Sequence, residues 1–74
     1  MSDQITQLVS TAAELGHAIR SRRKALKMTQ EELAMATGVS AATVIAIEKG
    51  KETAQVSLVL QLCRDLGLRL TVGT

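Results

Sequence analysis

Five cationic side chains lie within eight residues of this chain and could together bind phosphate groups. They are Arg20, Arg22, Arg23, Lys24 and Lys27, although the net charge of the whole chain is only +2. Guanidinium and ammonium groups bind phosphate oxygens through charge-assisted hydrogen bonds. The alternative interpretation of such a run is a solvated helix face. We favour the phosphate footprint, because the run leads directly into a second motif.

The second motif spans residues 29–51, TQEELAMATGVSAATVIAIEKGK, and predicts two short helices joined by a tight turn. Thr29 and Glu32 match the capping-box pattern T-x-x-E, which begins a helix, and Ser40 is a favourable N-cap for the next helix. Gly38 can adopt the positive φ that a sharp turn requires. This pattern is typical of a helix-turn-helix, whose second helix enters the DNA major groove. The alternative is an α-hairpin within a small helical bundle that binds no DNA.

With its flanks, the motif resembles the helix-turn-helix domain of the XRE family (Cro/C1 type) of phage repressors and bacterial regulators. The resemblance covers residues 15–66 and rests on the segments IRSRRKALKMTQEELA, TGVSAATVIAIEKGK and LVLQLCRDLGL. The tail LGLRLTV makes the chain look like the HipB-type antitoxins, whose compact repressor domain ends in a short strand. The resemblance implies a dimeric repressor that binds an inverted repeat in double-stranded DNA, with a HipA-like kinase toxin as a further candidate partner.

The family pattern assigns DNA contacts to the basic run and to both helices of the motif. Gln30 and Thr43 match residues that contact the DNA backbone, and Ala41, Ala42 and Ala46 match positions that reach base edges. Alanine cannot hydrogen-bond a base but can contact a thymine methyl group, so specificity must also come from polar neighbours and DNA deformability. The expected DNA-binding set is Arg20, Arg22, Lys24, Lys27, Thr29, Gln30, Ser40, Ala41, Ala42, Thr43, Ala46 and Lys49.

Arg23 is expected to have a different role from the rest of the basic run. It falls near the inner face of its helix, between Ile19 and Leu26. In the XRE family the arginine at this position pairs with the acid at the position of Glu48, so the resemblance implies a partly buried ion pair between Arg23 and Glu48. Removing one partner would leave an uncompensated charge, which costs more than the pair itself contributes.

Four helices must position these residues. Hydrophobic periodicity and capping signals predict helices from residue 12 to about 26, over 30–36 and 41–49, and from 56 to the glycine at 67. Residues 1–10 are expected to be an arm, a short strand or a frayed end, because QITQLV fits either a helical or an extended pattern. Residues 68–74 begin with LRLTV, whose period of two predicts a strand. The expected fold is therefore all-α, a compact four- to five-helix lambda-repressor-like domain over residues 11–67 with a C-terminal strand.

The last helix and the strand together predict a homodimer. Apolar residues of the helix cover an arc of about 200°, whereas a surface helix needs roughly 100° or somewhat more. One strand cannot satisfy its own hydrogen bonds, so we expect it to pair with the same strand of a second subunit. The alternative is a disordered tail. The expected interface consists of Leu58, Leu62, Leu66, Leu68, Leu70 and Val72.

Composition argues against several other classes of protein. Aromatic residues are absent, so the base stacking common in proteins that bind single strands is unavailable. With one Cys, one His and no glycine-rich phosphate loop, we expect neither an enzyme nor a cofactor or metal site, and Cys63 is expected to be a small buried hydrophobe. The absence of a signal peptide or membrane-length apolar run predicts a cytoplasmic chain. The remaining alternative is a protein-interaction module of the same fold, a scaffold or anti-activator that binds no DNA.

Overall fold

The computed structural model describes residues 5–73, so the first four residues of the expected arm lie outside the described part. The chain forms, in order, β1 (Ile5–Val9), α1 (Ala12–Ala25), α2 (Gln30–Thr37), α3 (Ala41–Glu48), α4 (Val56–Asp65) and β2 (Leu68–Val72). The expected four-helix domain and the C-terminal strand are confirmed. None of the described helices is long and apolar enough to cross a lipid bilayer.

Hydroxyl side chains begin the first three helices. Thr11, Thr29 and Ser40 each accept a hydrogen bond from the backbone N–H three residues later, at 3.0–3.1 Å. At the start of α2, Glu32 completes the capping box by accepting from the backbone N–H of Thr29 at 2.8 Å. The hydrogen bonds with Thr29 hold the pKa of Glu32 below its ordinary value. Local spacing alone therefore fixes where these helices begin.

Two glycines make the helix-turn-helix geometry possible for different reasons. Gly38 ends α2 with φ 74°, and apart from Gly38 and its two chain neighbours no residue comes within 4 Å of the place where its Cβ would be. Only the backbone conformation requires glycine there. At Gly16 of α1, by contrast, an added Cβ would meet the backbone carbonyls of Ile47 and Glu48. α1 and α3 thus cross in direct contact, which explains a glycine inside a helix, where it costs about 1 kcal/mol relative to alanine.

The core is aliphatic and lies between the four helices and the sheet. Cys63, 3% exposed, belongs to this core, and burial raises the pKa of its thiol to about 11. Its predicted role as a small buried hydrophobe is confirmed. The largest fully buried side chains are Ile19, Leu33, Val44, Leu62 and Leu66.

The two strands form a parallel pair within the chain, with Ile5 opposite Leu68 and Val9 opposite Val72. The expectation that β2 has no partner in its own chain is therefore wrong, because β1 supplies one. Parallel strands require a long crossover connection, and here that connection is the entire helical domain. The sheet packs on the core through Val9 and Leu68, which are 7% and 5% exposed.

Burial around α4 also differs from the expectation. Leu62 and Leu66 are at most 2% exposed and Leu68 is 5% exposed, since they pack within the core of the single chain. The expectation that these three leucines form a subunit interface is therefore wrong. The large exposed apolar residues of α4 are Val56 and Leu60 instead. The members of the expected interface that keep exposed surface are Leu58 and Leu70, both half-buried, and Val72, 83% exposed.

Candidate nucleic-acid interface

The outer face of α3 is a strip of small and aliphatic side chains. Ala42 is exposed and Ala46 is half-buried, whereas Val44 and Ile47 face the core and are at most 2% exposed. Ile45 is also half-buried, and helical spacing places it beside Ala42, three residues earlier. Ile45 is not in the DNA-binding set expected from the sequence, although an isoleucine among alanines is the side chain on this face best able to contact a thymine methyl group.

Two hydroxyl groups occupy the start of α3. Ser40 Oγ accepts a hydrogen bond from the backbone N–H of Thr43 and donates to Thr43 Oγ1 at 2.8 Å. Because a hydroxyl group carries one proton and two lone pairs, the proton of Thr43 remains available to an outside acceptor. Ala41, which the family pattern assigns to a base contact, is half-buried and packs partly against the core.

An open cleft of about 300 Å³ runs along α3. Ala42, Thr43 and Ala46 form part of one wall, and Lys51 and Gln55 of the α3–α4 connector form part of the other. No residue of this connector is in the DNA-binding set expected from the sequence except Lys49, at its start. The one signal for it in the sequence is the charge of Lys51, shortly after the end of α3.

Arg23 and Glu48 form the ion pair that the resemblance implies. Arg23 Nε donates to Glu48 Oε2 at 2.7 Å and Arg23 Nη2 donates to Oε1 at 3.0 Å. The two side chains are 8% and 2% exposed, and the hydrogen bond to Glu48 raises the pKa of Arg23. Arg23 Nη1 also donates to the carbonyl oxygen of Met28 at 2.7 Å. The pair therefore ties α1 to the end of α3 and to the loop that leads into α2.

A second open cleft, also of about 300 Å³, lies beside this ion pair. It is lined by Arg20, Arg23, Gln30, Glu48 and Lys49. Gln30 Nε2 donates to Glu48 Oε1 at 3.1 Å. The fold thus brings together three of the expected DNA-binding residues, Arg20, Gln30 and Lys49, which come from α1, α2 and the end of α3.

The basic run does not lie on one face of α1. Arg22 Nε donates to the carbonyl oxygen of Leu66 at 2.8 Å, at the end of α4. Residues two positions apart on a helix point about 200° apart, so Arg22 faces away from Arg20. We therefore propose that Arg22, although it belongs to the expected DNA-binding set, lies outside the DNA-binding face. Lys24 and Lys27 are exposed.

Lys27 has an unusual backbone conformation. Its φ is 58°, and it is the one non-glycine residue with positive φ among residues 5–73; Gly38, Gly50 and Gly67 are the glycines in that region. Behind it, the N–H of Met28 donates to the carbonyl oxygen of Arg23 at 3.1 Å and closes the end of α1. Glycine is the favoured residue at such a helix terminus. A lysine there holds an unfavourable backbone conformation that a glycine would adopt without strain.

Sequence comparisons agree with this architecture. A family model described as helix-turn-helix, HTH_3, matches residues 19–72. An uncharacterized HTH-type transcriptional regulator of Sinorhizobium fredii, y4mF, is 36% identical over 64 residues, which cover 86% of this chain and 84% of that protein. An uncharacterized HTH-type transcriptional regulator of Methanothermobacter thermautotrophicus is 47% identical over 49 residues, which cover 66% of this chain and 71% of the relative.

Solved structures share the fold at lower identity. A chain in the structure of a HipA–HipB–O2–O3 complex superposes with a TM-score of 0.79 and 24% identity, and the match covers 92% of this chain and 96% of that chain. A HipB–O4 20mer complex gives the same values. This similarity concerns the fold, whereas the family model and the relatives establish the family. The chain belongs to the helix-turn-helix family and is an XRE-type transcriptional regulator with a HipB-like fold.

Proposed function

We propose that this chain is a transcriptional repressor that binds an inverted repeat in double-stranded DNA as a homodimer. The observation that carries the proposal is the outer strip of α3, where Ala42, Ile45 and Ala46 leave the helix slim enough to lie deep in a major groove. Hydrogen-bond donors flank this strip, with Thr43 and Lys51 on one cleft and Gln30 and Lys49 on the other. When α3 lies in a major groove, donors on both sides of it can hydrogen-bond the phosphate oxygens of the two strands that border the groove.

We infer that the dimer forms through the open edge of β2. The N–H of Gly73 donates to the carbonyl oxygen of Val9 at 3.0 Å. Because backbone groups alternate in direction along a strand, the N–H groups of Leu70 and Val72 point away from β1. Antiparallel pairing of two β2 strands would satisfy these groups and give a four-stranded sheet. It would also cover Val72, which is 83% exposed.

The dimer interface that we propose is smaller than the one the sequence indicated. It retains Leu58, Leu70 and Val72 and loses the three leucines that belong to the monomer core. A two-stranded sheet is marginal in water on its own, and an unpaired edge invites pairing with another chain. Joining two such sheets at their edges addresses both problems.

We further propose that the protein is a HipB-like antitoxin that represses its own operon and binds a HipA-like kinase toxin. The support is the fold, which matches that of a chain in the HipA–HipB–O2–O3 complex. Purification of the tagged chain from its native host, followed by mass spectrometry, tests this partner. Recovery of a kinase-like protein in stoichiometric amount is the expected result, and recovery of the regulator alone would contradict it.

The DNA-binding part of the proposal is tested by selection from a random-sequence duplex pool. The affinity of the selected duplex is then measured by fluorescence anisotropy over a range of salt concentrations. We expect a linear fall of log K with log salt, with a slope of about −0.9 for each phosphate contacted. A scaffold or anti-activator with the same fold would select no duplex.

A further inference from the structure

The carboxylate of Glu48 accepts hydrogen bonds from two residues that have different surroundings. Its Oε2 accepts from Arg23 Nε at 2.7 Å, and its Oε1 accepts from Arg23 Nη2 at 3.0 Å and from Gln30 Nε2 at 3.1 Å. Arg23 and Glu48 are buried, whereas Gln30 is half-buried and lines the open cleft that also contains Arg20 and Lys49. Glu48 thus connects the interior of the protein with a group at its surface.

We propose that Glu48 is a positioning residue for DNA binding, which holds the amide of Gln30 so that its second N–H donates to a DNA phosphate in this cleft. The inference rests on the proposed function. Arg20 and Lys49 supply positive charge around the same phosphate, and Gln30 supplies a directed hydrogen bond. Gln30 is also the first residue of α2, where the helix dipole favours a nearby anion.

The orientation follows from the chemistry of the two groups. An ionised carboxylate only accepts hydrogen bonds, whereas a glutamine amide has two N–H donors on one side and an acceptor oxygen on the other. Glu48 therefore attracts the NH₂ group of Gln30 and repels its carbonyl oxygen. One N–H is held by Glu48, and the other is left for an acceptor in the cleft. A glutamine without this partner could turn its oxygen toward the phosphate, which would repel it.

Arg23 makes the arrangement compatible with an anionic ligand. A lone carboxylate close to a phosphate would oppose binding, but Arg23 covers Glu48 with two hydrogen bonds. The cleft is then lined by the neutral Arg23–Glu48 pair and by two further cationic side chains, Arg20 and Lys49. The ion pair therefore has a second role beside its structural one, since it lets Glu48 orient Gln30 without repelling DNA.

Two double variants separate the positioning role from the structural role, because both remove the ion pair. Arg23→Met with Glu48→Gln keeps a side-chain oxygen that can accept from Gln30, whereas Arg23→Met with Glu48→Leu does not. Gln30→Ala is introduced into the wild type and into each double variant. Affinity for the duplex selected by the wild type is measured by anisotropy, and thermal unfolding checks that each variant is folded at the assay temperature.

We expect Gln30→Ala to weaken binding roughly tenfold in the wild type, as for the loss of a hydrogen bond to a charged group. Gln30→Ala should have a similar effect in the double variant with Glu48→Gln. In the double variant with Glu48→Leu its effect should be below about twofold, because an amide that Glu48 does not orient contributes little to phosphate binding. An equal loss in all three backgrounds would overturn the positioning role. No loss in any background would overturn the phosphate contact of Gln30. Failure of the wild type to select any duplex would overturn the proposed function itself, and the role of Glu48 with it.

A second measurement needs none of the double variants. In the wild type, NMR resolves the two side-chain amide protons of Gln30. We expect the proton that donates to Glu48 to lie farther downfield than either side-chain amide proton of the exposed Gln55 before DNA is added, because the carboxylate accepts a hydrogen bond from it. Addition of the selected duplex should shift the other proton downfield. Proton shifts like those of Gln55 before DNA is added, or protons that the duplex leaves unchanged, would contradict the proposal.

Discussion

Gly16 of α1 and Glu48 of α3 are in backbone contact, since a Cβ at residue 16 would lie 2.8 Å from the carbonyl oxygen of Glu48. The helix that is proposed to read DNA is therefore held against α1 at two levels. The backbones touch at Gly16, and the side chains of Arg23 and Glu48 join about two helical turns further along α1. The position of α3 depends on this crossing.

Gly16→Ala should therefore destabilise the protein, although alanine favours a helix. The added Cβ forces α1 and α3 apart, and overpacking of this kind costs about 1–3 kcal/mol or more. Gly38→Ala is the matched comparison, because it introduces left-handed strain of about 1–2 kcal/mol without any steric contact. Urea unfolding measures both free energies. A Gly16→Ala variant as stable as the wild type would show that the two helices are not in contact.

Lys27→Gly should raise stability and lower DNA affinity at the same time. Glycine relieves the positive φ of residue 27, which is worth about 1 kcal/mol. The substitution also removes a charge, so the slope of log K against log salt should become shallower by about one unit per lost phosphate contact. Thermal unfolding and salt-dependent anisotropy measure the two effects.

Arg22→Ala is the control for the loss of one positive charge in Lys27→Gly. It removes a cation of the same basic run that binds the carbonyl oxygen of Leu66. We expect reduced stability with an unchanged salt slope. A shallower slope for Arg22→Ala, or an unchanged one for Lys27→Gly, would refute the division of the basic run into two faces.

Stability at alkaline pH should depend on Cys63. Burial raises the pKa of its thiol from 9.0 to about 11, so the unfolded chain loses this proton at a lower pH than the folded chain does. The stabilisation is fully present below pH 9 and is lost as the pH rises through 11. The free energy of unfolding should fall by about 2–3 kcal/mol over this window. Cys63→Ala should remove that part of the decline, and an identical pH profile in both proteins would contradict the assignment.

Val72→Pro should give a folded monomer. Proline removes the N–H that points to the open edge of β2, without removing a hydrogen bond to β1. Val72→Ala keeps that N–H and should remain dimeric, while Thr71→Pro should disrupt the pairing with β1 and destabilise the chain. Sedimentation equilibrium gives the mass of each variant. If Val72→Pro sediments as a dimer, the subunits associate through another surface.

The local parts of this structure could be predicted from the sequence, and the long-range parts could not. Thr29 and Ser40 mark helix starts because a cap involves only a few neighbouring residues. The pairing of β1 with β2 joins the two ends of the chain, and no local pattern in QITQLV distinguishes a strand from a helix. The wide apolar arc of α4 predicts that Leu62 contacts a second subunit, because the arc does not show which of its residues are already buried by the core of the same chain.

The candidate site shows the same division. Arg23 and Glu48 could be paired from the family pattern, but the bond from Gln30 to Glu48 depends on how three helices meet. Arg22 could have been separated from Arg20 by helical phase alone, since the two point about 200° apart. Charge in a run is visible in the sequence, whereas the face on which each charge lies requires the register of the helix.

Hydroxyl-radical footprinting of the selected duplex tests the central claim most directly. A two-fold dimer should protect two half-sites related by inverted symmetry, with centres about 34–36 Å apart or a multiple of this distance. In the Gln30→Ala variant, protection of these backbone positions should be weaker, and the spacing between the two half-sites should stay the same. Protection of a single half-site, of direct repeats, or of no position at all would contradict a dimeric repressor that places α3 in successive major grooves.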